Sequence, residues 1–171
     1  QPAGVTDAAG FAIGAIASTT AELKTITATV NPGASQVVVA QQATVTFSSD
    51  PGTISAGLST VSVMPPAGVV ANGLDLATIT VTVLDANGNP VTGQTVMLAA
   101  TGANNVLTQP AATTDVNGVA TGTIASTKAE TKTITATINP GPGQVVLVQQ
   151  PTVAFIGDPS TISAANSTAT A

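Results

Sequence analysis

Residues 109–163 spell residues 1–55 a second time. At a shift of 108 positions the two stretches align without a gap, with roughly two residues in three identical. QPAGVTDAAGFAIGAIASTTAELKTITATVNPG returns as QPAATTDVNGVATGTIASTKAETKTITATINPG, and QVVVAQQATVTFSSDPGTIS returns as QVVLVQQPTVAFIGDPSTIS. Such a period exceeds the ~20–45 residues of a solenoid repeat and suits one small domain per unit. The expected organisation is a string of domains. Residues 1–50 form the C-terminal part of one repeat, 51–158 a complete repeat, and 159–171 the first strand of the next, a window on a longer array. The joints, 48–52 and 156–160, are about five residues each and hold a proline, which predicts a semi-rigid rod.

Inside the complete repeat, apolar residues recur at every second position. In residues 76–84 (LATITVTVL), Ala77, Ile79, Val81 and Val83 share one parity, and Thr78, Thr80 and Thr82 share the other. That is the pattern of a strand with one buried face and one row of hydroxyls. Asp85-Ala86-Asn87-Gly88-Asn89-Pro90 predicts a tight hairpin, since Asn-Gly supplies the positive φ such a turn demands, with residues 91–99 as the return strand. Residues 53–56, 61–63, 119–125 and 131–138 read as further strands, and 102–105 as loop. Pro65-Pro66 and Asn72-Gly73 read as breaks, and residues 144–155 as the longest apolar strand, kinked or at an edge where Pro151 falls. In 131–138, Ile134, Ala136 and Ile138 face inward and the threonines outward, and Lys132 is placed with the threonines.

No stretch shows a capped apolar period of 3.6 residues. About seven short strands between Gly, Pro and Asn turns predict an all-β sandwich without helix. Its expected core is Ile79, Val81, Val83, Val96, Leu98, Ile124, Ile134, Ile138, Val146 and Val153.

Composition narrows the function. Hydrophobic residues make up 43% of the chain, but aromatics only 2% and charged residues 6%, so Val, Ile, Leu and Ala must fill the core. Thr, Ser, Asn and Gln must cover the surface. A net charge of −5, with three Lys or Arg and no His, argues against nucleic acid and anionic membranes as partners. The absence of Cys excludes disulfide staples. No apolar run reaches the ~20 residues of a bilayer helix, so no membrane insertion is expected within this segment. Gln1 does not open a signal peptide; export signals and anchors would lie outside the window.

Without His or Cys there is no Ser–His–Asp or Cys–His set, and no enzyme is expected. No cofactor is expected either, calcium being the one inorganic candidate. Asp85, Asn87 and Asn89 alternate around Gly88 as oxygen ligands do at the start of a calcium loop, although no glutamate closes the loop. The competing reading is a turn in which Asp85 and Asn87 bond to nearby backbone. Asp50 and Asp158 stand in the joints, where an ion could stiffen neighbouring domains or where each simply forms a turn before proline. Lys128 and Glu130 suggest a surface pair, as Glu22 does in the earlier copy. A Lys–Asn isopeptide crosslink would need Lys132 buried beside a carboxylate, contrary to its outward placement.

Two surface features bear on partners. Thr78, Thr80 and Thr82, with Thr133, Thr135 and Thr137 and with Thr25, Thr27 and Thr29, form ranks that could meet a glycan or ice lattice or carry O-glycans. Threonine at exposed strand sites also needs no ligand to explain it. Residues 144–155 and 36–47 carry no charge, whereas sheet edges are usually protected by charge, above all Lys. Val145, Val146, Leu147, Val148, Val153 and Phe155 are therefore a candidate self-association strand for lateral packing into a fibre.

The order of turn motifs is similar to that of a known family. Ala71-Asn72-Gly73 precedes the first long strand; Asp85-Ala86-Asn87-Gly88-Asn89-Pro90-Val91 follows it, with Gly93-Gln94-Thr95-Val96. Then come Thr114-Asp115-Val116-Asn117-Gly118-Val119-Ala120 and Lys132-Thr133-Ile134-Thr135-Ala136-Thr137, whose second-half motifs recur in residues 6–12 and 24–29. This order resembles the group 1 bacterial immunoglobulin-like repeat of the intimin/invasin adhesins. The resemblance implies tandem immunoglobulin-like β-sandwich domains joined by short linkers, on the outside of bacteria. It implies a stalk or spacer, or the building block of an extracellular fibre, with neighbouring repeats as partners and any host or surface ligand bound by domains beyond this segment. Charge is sparser here than that family leads one to expect, and residues 144–158 are more apolar.

Overall fold

A computed structural model describes residues 4–163 and 166–168. Two compact units divide it, Gln1–Ser49 and Asp50–Ala171. The first carries four short strands: β1 (Leu23–Ile26), β2 (Thr29–Val30), β3 (Val37–Val38) and β4 (Ala43–Thr46). β1 pairs antiparallel with β4, and β2 with β3.

The second unit is a sandwich of two sheets. Its strands are β5 (Thr60–Met64), β6 (Ala67–Val70), β7 (Ala77–Thr82), β8 (Val96–Ala100), β9 (Asn105–Thr108), β10 (Val119–Ser126), β11 (Thr131–Ile138), β12 (Val145–Val146) and β13 (Thr152–Ile156). One sheet runs β5-β7-β10-β9, antiparallel throughout. In the other, β11 has β8 on one side and β13 then β12 on the other, and β6 lies beyond β13. The β6–β13 pairing is parallel. Val61, Ile79, Val81 and Ile124 from the first sheet meet Leu98, Ile134, Ile138, Val153 and Phe155 from the second, all buried.

Several expectations need correction. Pro65-Pro66 does not merely break the first strand. Prolines cannot donate to a ladder, so the chain leaves β7 there and crosses to the other sheet as β6, a strand read as a gap. β9 was likewise not expected: it starts at Asn105, the last residue read as loop, and runs on to Thr108. The return strand begins only at Val96, because residues 91–94 are tied to Val83 and Thr114 instead: Val91 N–H donates to the Val83 carbonyl and Gly93 N–H to that of Thr114. Residues 144–155 form two short strands, not one. Between them the Val148 N–H donates to the Ala56 carbonyl (3.1 Å) and the Gln149 side chain accepts from the Val61 N–H (3.0 Å). Val146 is exposed, its place in the expected core taken by Val145 and Leu147 on the opposite parity.

Both joints carry a short 3-10 turn, Pro51–Thr53 and Pro159–Thr161, as the reading of Asp50 and Asp158 as turn residues has it. The expected first strand of a following repeat, 159–171, lies partly outside the described residues.

Candidate functional site

Three five-residue turns share one construction. Asp85 Oδ1 accepts the N–H groups of Asn87 and Asn89, Asp115 Oδ1 those of Asn117 and Val119, and Asp7 Oδ1 those of Ala9 and Phe11. In each, the glycine at the fourth position has positive φ and donates its N–H to the aspartate carbonyl. The Asp7 turn forms with Ala9 in the place of asparagine. Aspartate and glycine are thus the determinants, and the Asn-Gly pair is not required.

Asp85 does more than close its turn. It is buried, and its Oδ2 accepts the Asp50 N–H (3.1 Å) and a bond from Asn89 Nδ2 (2.9 Å). Burial alone would raise its pKa, but the Asn89 side chain and the N–H groups of Asn89, Asp50 and Asn87 outweigh it and hold the carboxyl at about 2. Beside this seat, Ser55 N–H donates to the Leu84 carbonyl and Ile54 bridges Asp85. The point where the chain enters the domain is fastened to the domain's own hairpin. Asp50 caps the turn that follows, its Oδ1 accepting the Gly52 N–H, and Asp158 does the same for Ser160. Hydrogen bonds from the Ser160 hydroxyl and N–H lower the Asp158 pKa.

These bonds are those of the turn reading: both oxygens of Asp85 accept N–H donors, and Asn89 turns its amide nitrogen toward Asp85. The Asn87 side chain is exposed. Among the described residues no three acidic, His or Cys side chains gather closely enough to hold a metal ion.

Lys132 is a second correction. Its position has the parity of Ile134, not of the threonines, and the side chain is fully buried. Its Nζ pairs with Glu130 Oε1 and donates to the Ala103 carbonyl (2.5 Å), while the same Glu130 oxygen accepts the Ala103 N–H (2.7 Å). One ion pair thus grips both polar groups of a residue in the crossing between the two sheets. The Lys132 bond, then the Ala103 N–H, lower the Glu130 pKa to about 2, with Lys128 contributing at 3.3 Å. Parity alone could have found this buried lysine.

The proposed association strand is mostly interior. Leu147, Val153 and Phe155 belong to the domain's own core and Val145 packs against it, so only Val146 and Val148 are exposed. The Thr78–Thr82 rank lies on an outer face, whereas Thr137 of the β11 rank is buried. Register aligns Ser62, Thr80 and Thr121 across β5, β7 and β10, and Met64, Thr78, Thr123 and Thr108 in the next row. No helix among the described residues is long and apolar enough to cross a membrane.

Comparison with known proteins agrees with this architecture. The profile of the bacterial Ig-like domain (group 1) matches residues 58–156. The inverse autotransporter adhesin YeeJ of Escherichia coli (strain K12) is 39% identical over 99 residues, 55% of this chain and 4% of that adhesin. The adhesin InvE of Yersinia pseudotuberculosis superposes with a TM-score of 0.54 at 29% identity, covering 63% of this chain and 29% of its own. Invasin, described as a bacterial integrin-binding protein, gives 0.54 at 28% identity over 90% of this chain and 28% of its own. The chain therefore spans a small part of the adhesin and under a third of either solved chain.

Proposed function

The chain belongs to the bacterial Ig-like domain (group 1) family, and from that premise we propose that it is a non-enzymatic spacer in the stalk of a bacterial surface adhesin. The observation that supports this most is the seat at Asp85. A domain that fastens its own entry point at Asp50, and carries the same capped turn at Asp158 where the chain leaves, is built for serial connection. Hydrogen bonding and packing are what its Asp-Gly turns and buried ion pair supply. Residues 1–50 and 159–171 are read as parts of flanking repeats, and host or surface ligands are assigned to domains elsewhere in the protein.

The test varies repeat number. Arrays of one to six copies of residues 51–158 should lengthen in proportion to copy number by electron microscopy, and an unrelated rigid rod of equal length should restore adhesion to a protein from which they are deleted. Adhesion lost despite a length-matched replacement would refute the spacer role.

The aligned hydroxyl rows favour one second reading, a binding face for an uncharged lattice such as a glycan or ice. Replacement of Thr80 and Thr121 by Lys would abolish such binding and leave a spacer unaffected. Lateral packing through Val146 and Val148 is the third use; monodisperse rods in solution scattering would count against it.

A further inference from the structure

We infer that the parallel ladder between β6 and β13 is the force-bearing latch of the domain, an inference that rests on the spacer reading for its biological use but not for its measurement. Tension on a spacer enters the unit at Asp50 and leaves it at Asp158. It therefore reaches β6 from its N-terminal end and β13 from its C-terminal end. Because the two strands are parallel, with Ala154 opposite Ala67, Phe155 opposite Val69 and Ile156 opposite Val70, these pulls are opposed along the strand axis. Every bond between them is then sheared together. Neighbours loaded from the same end would instead be peeled one bond at a time.

The ladder is closed at both ends by further bonds. Ala154 N–H donates to the Pro66 carbonyl (2.9 Å) and Ala71 N–H to the Ile156 carbonyl (2.8 Å). Val69 and Phe155 sit across from each other with their side chains in the core, so sliding the strands also drags apolar surface out of its packing. Residues 50–64 stand ahead of the latch, held by the Asp85 seat and by β7. Their release lengthens the chain only by their own residues. Rupture of β6 from β13 opens the sandwich. The proline pair that moves the first strand from one sheet to the other is what creates this geometry. Without the crossing, the first strand would stay in the sheet opposite the last and share no ladder with it.

The full chain, pulled from its two ends in optical tweezers, tests the latch. Unit 2 should open in one main step. Ala154→Pro, which removes the N–H given to Pro66, should lower the force of that step by roughly a third, whereas Ile124→Val on β10, compared at equal loss of chemical stability, should lower it by under about a tenth. Should Ala154→Pro fail to fold, Ala67→Cys with Ala154→Cys replaces it. These register partners on adjacent strands lie at a spacing a disulfide spans. The oxidised form should lose the main step at the original force, and reduction should restore it. Equal force losses for the latch and β10 variants, or an oxidised chain that opens as before, would overturn the latch. A latch that fails here leaves the repeat-number test of the spacer untouched, and a spacer that fails there leaves this force measurement standing.

Discussion

The C-terminal half of the repeat occurs twice in this chain, once with its partner half and once without. In the second unit Ile124 and Ile134 are 0% exposed and Leu147 1%; their counterparts Ile16, Ile26 and Val39 are 49%, 39% and 37% exposed. Lys132 disappears into the sandwich, whereas Lys24, paired with Glu22 in the same way, keeps a third of its side chain in solvent. β10 is a strand of eight residues, yet its counterpart at 11–18 forms none, because β7 and β9, the strands that bond β10, have no equivalent in residues 1–49. The Asp7 turn, by contrast, matches the Asp115 turn bond for bond. Five-residue turns and the pairings β1–β4 and β2–β3 are local and form from the half alone. Burial is not local, and needs the strands equivalent to β5–β9.

The comparison breaks most visibly if the missing half is supplied. With a second copy of residues 51–108 fused ahead of Gln1, the amide of Ile16 should pass from free hydrogen exchange to the protection of Ile124, and that of Ile26, already in the β1–β4 ladder, should rise to that of Ile134. Each apolar side chain so buried contributes about 1.5–3 kcal/mol. If residues 11–18 still exchange freely in the fusion, the difference between the copies has another cause than a missing cover.

Next in size is the ion pair. Glu130→Ala strands Lys132 without its counter-charge in the sandwich and should clearly lower the urea unfolding midpoint of the second unit. Lys132→Met, which removes the charge along with its need for a partner, should be nearly neutral. Glu22→Ala in the uncovered copy should shift nothing measurable. Equal costs for Glu130→Ala and Glu22→Ala would mean that burial does not distinguish the two pairs.

That lysine also marks how far the chain could be read from its residues. Period-two alternation located β7, β10 and β11 and most of the core, since a half-buried strand writes its parity into the sequence. β6 and β9 were not legible. Ala67-Gly68-Val69-Val70 becomes a strand only because β13 lies beside it, and Asn105–Thr108 only because β10 does. The break at 147–151 follows from bonds to Ala56 and Val61, some ninety residues away in sequence and invisible to any local pattern. At the site, Asp85 was legible as a turn former, but its grip on Asp50 was not, because that bond joins residues thirty-five apart.

Gly10 and Gly118 isolate packing from backbone strain. Both have positive φ, 84° and 73°, so alanine costs about 1 kcal/mol at either through conformation alone. A Cβ at Gly118 would also lie 2.5 Å from the Val83 carbonyl oxygen, whereas one at Gly10 would meet nothing within 4 Å. Gly118→Ala should therefore cost about 2–3 kcal/mol in all, with overpacking the larger part. Gly10→Ala should leave the unfolding midpoint of the second unit where it is. A Gly118→Ala cost no larger than the ~1 kcal/mol of backbone strain would show that Val83 yields to the added methyl.

Acid gives the smallest effect at ordinary pH and reads the same contrast through charge. Asp85 falls from 3.8 to about 2 on folding and Glu130 from 4.5 to about 2. A carboxyl with a lowered folded pKa contributes stability that is fully present above its unfolded pKa and lost as pH falls through the folded one. Unfolding midpoints of the second unit should therefore hold steady above pH 4.5 and decline from there toward pH 2. Glu130→Gln should remove the first part of that decline, which begins at the higher unfolded value, and Asp85→Asn the part that begins near 3.8. The exchange of the Asp50 amide is the sharper reporter, because its N–H is held by the Asp85 carboxylate and should be released in the same window. A profile flat from pH 4.5 to 2, with the Asp50 amide still protected, would show that neither carboxylate holds the structure through its charge, and the seat would then rest on the neutral bonds of Ser55 and Leu84 alone.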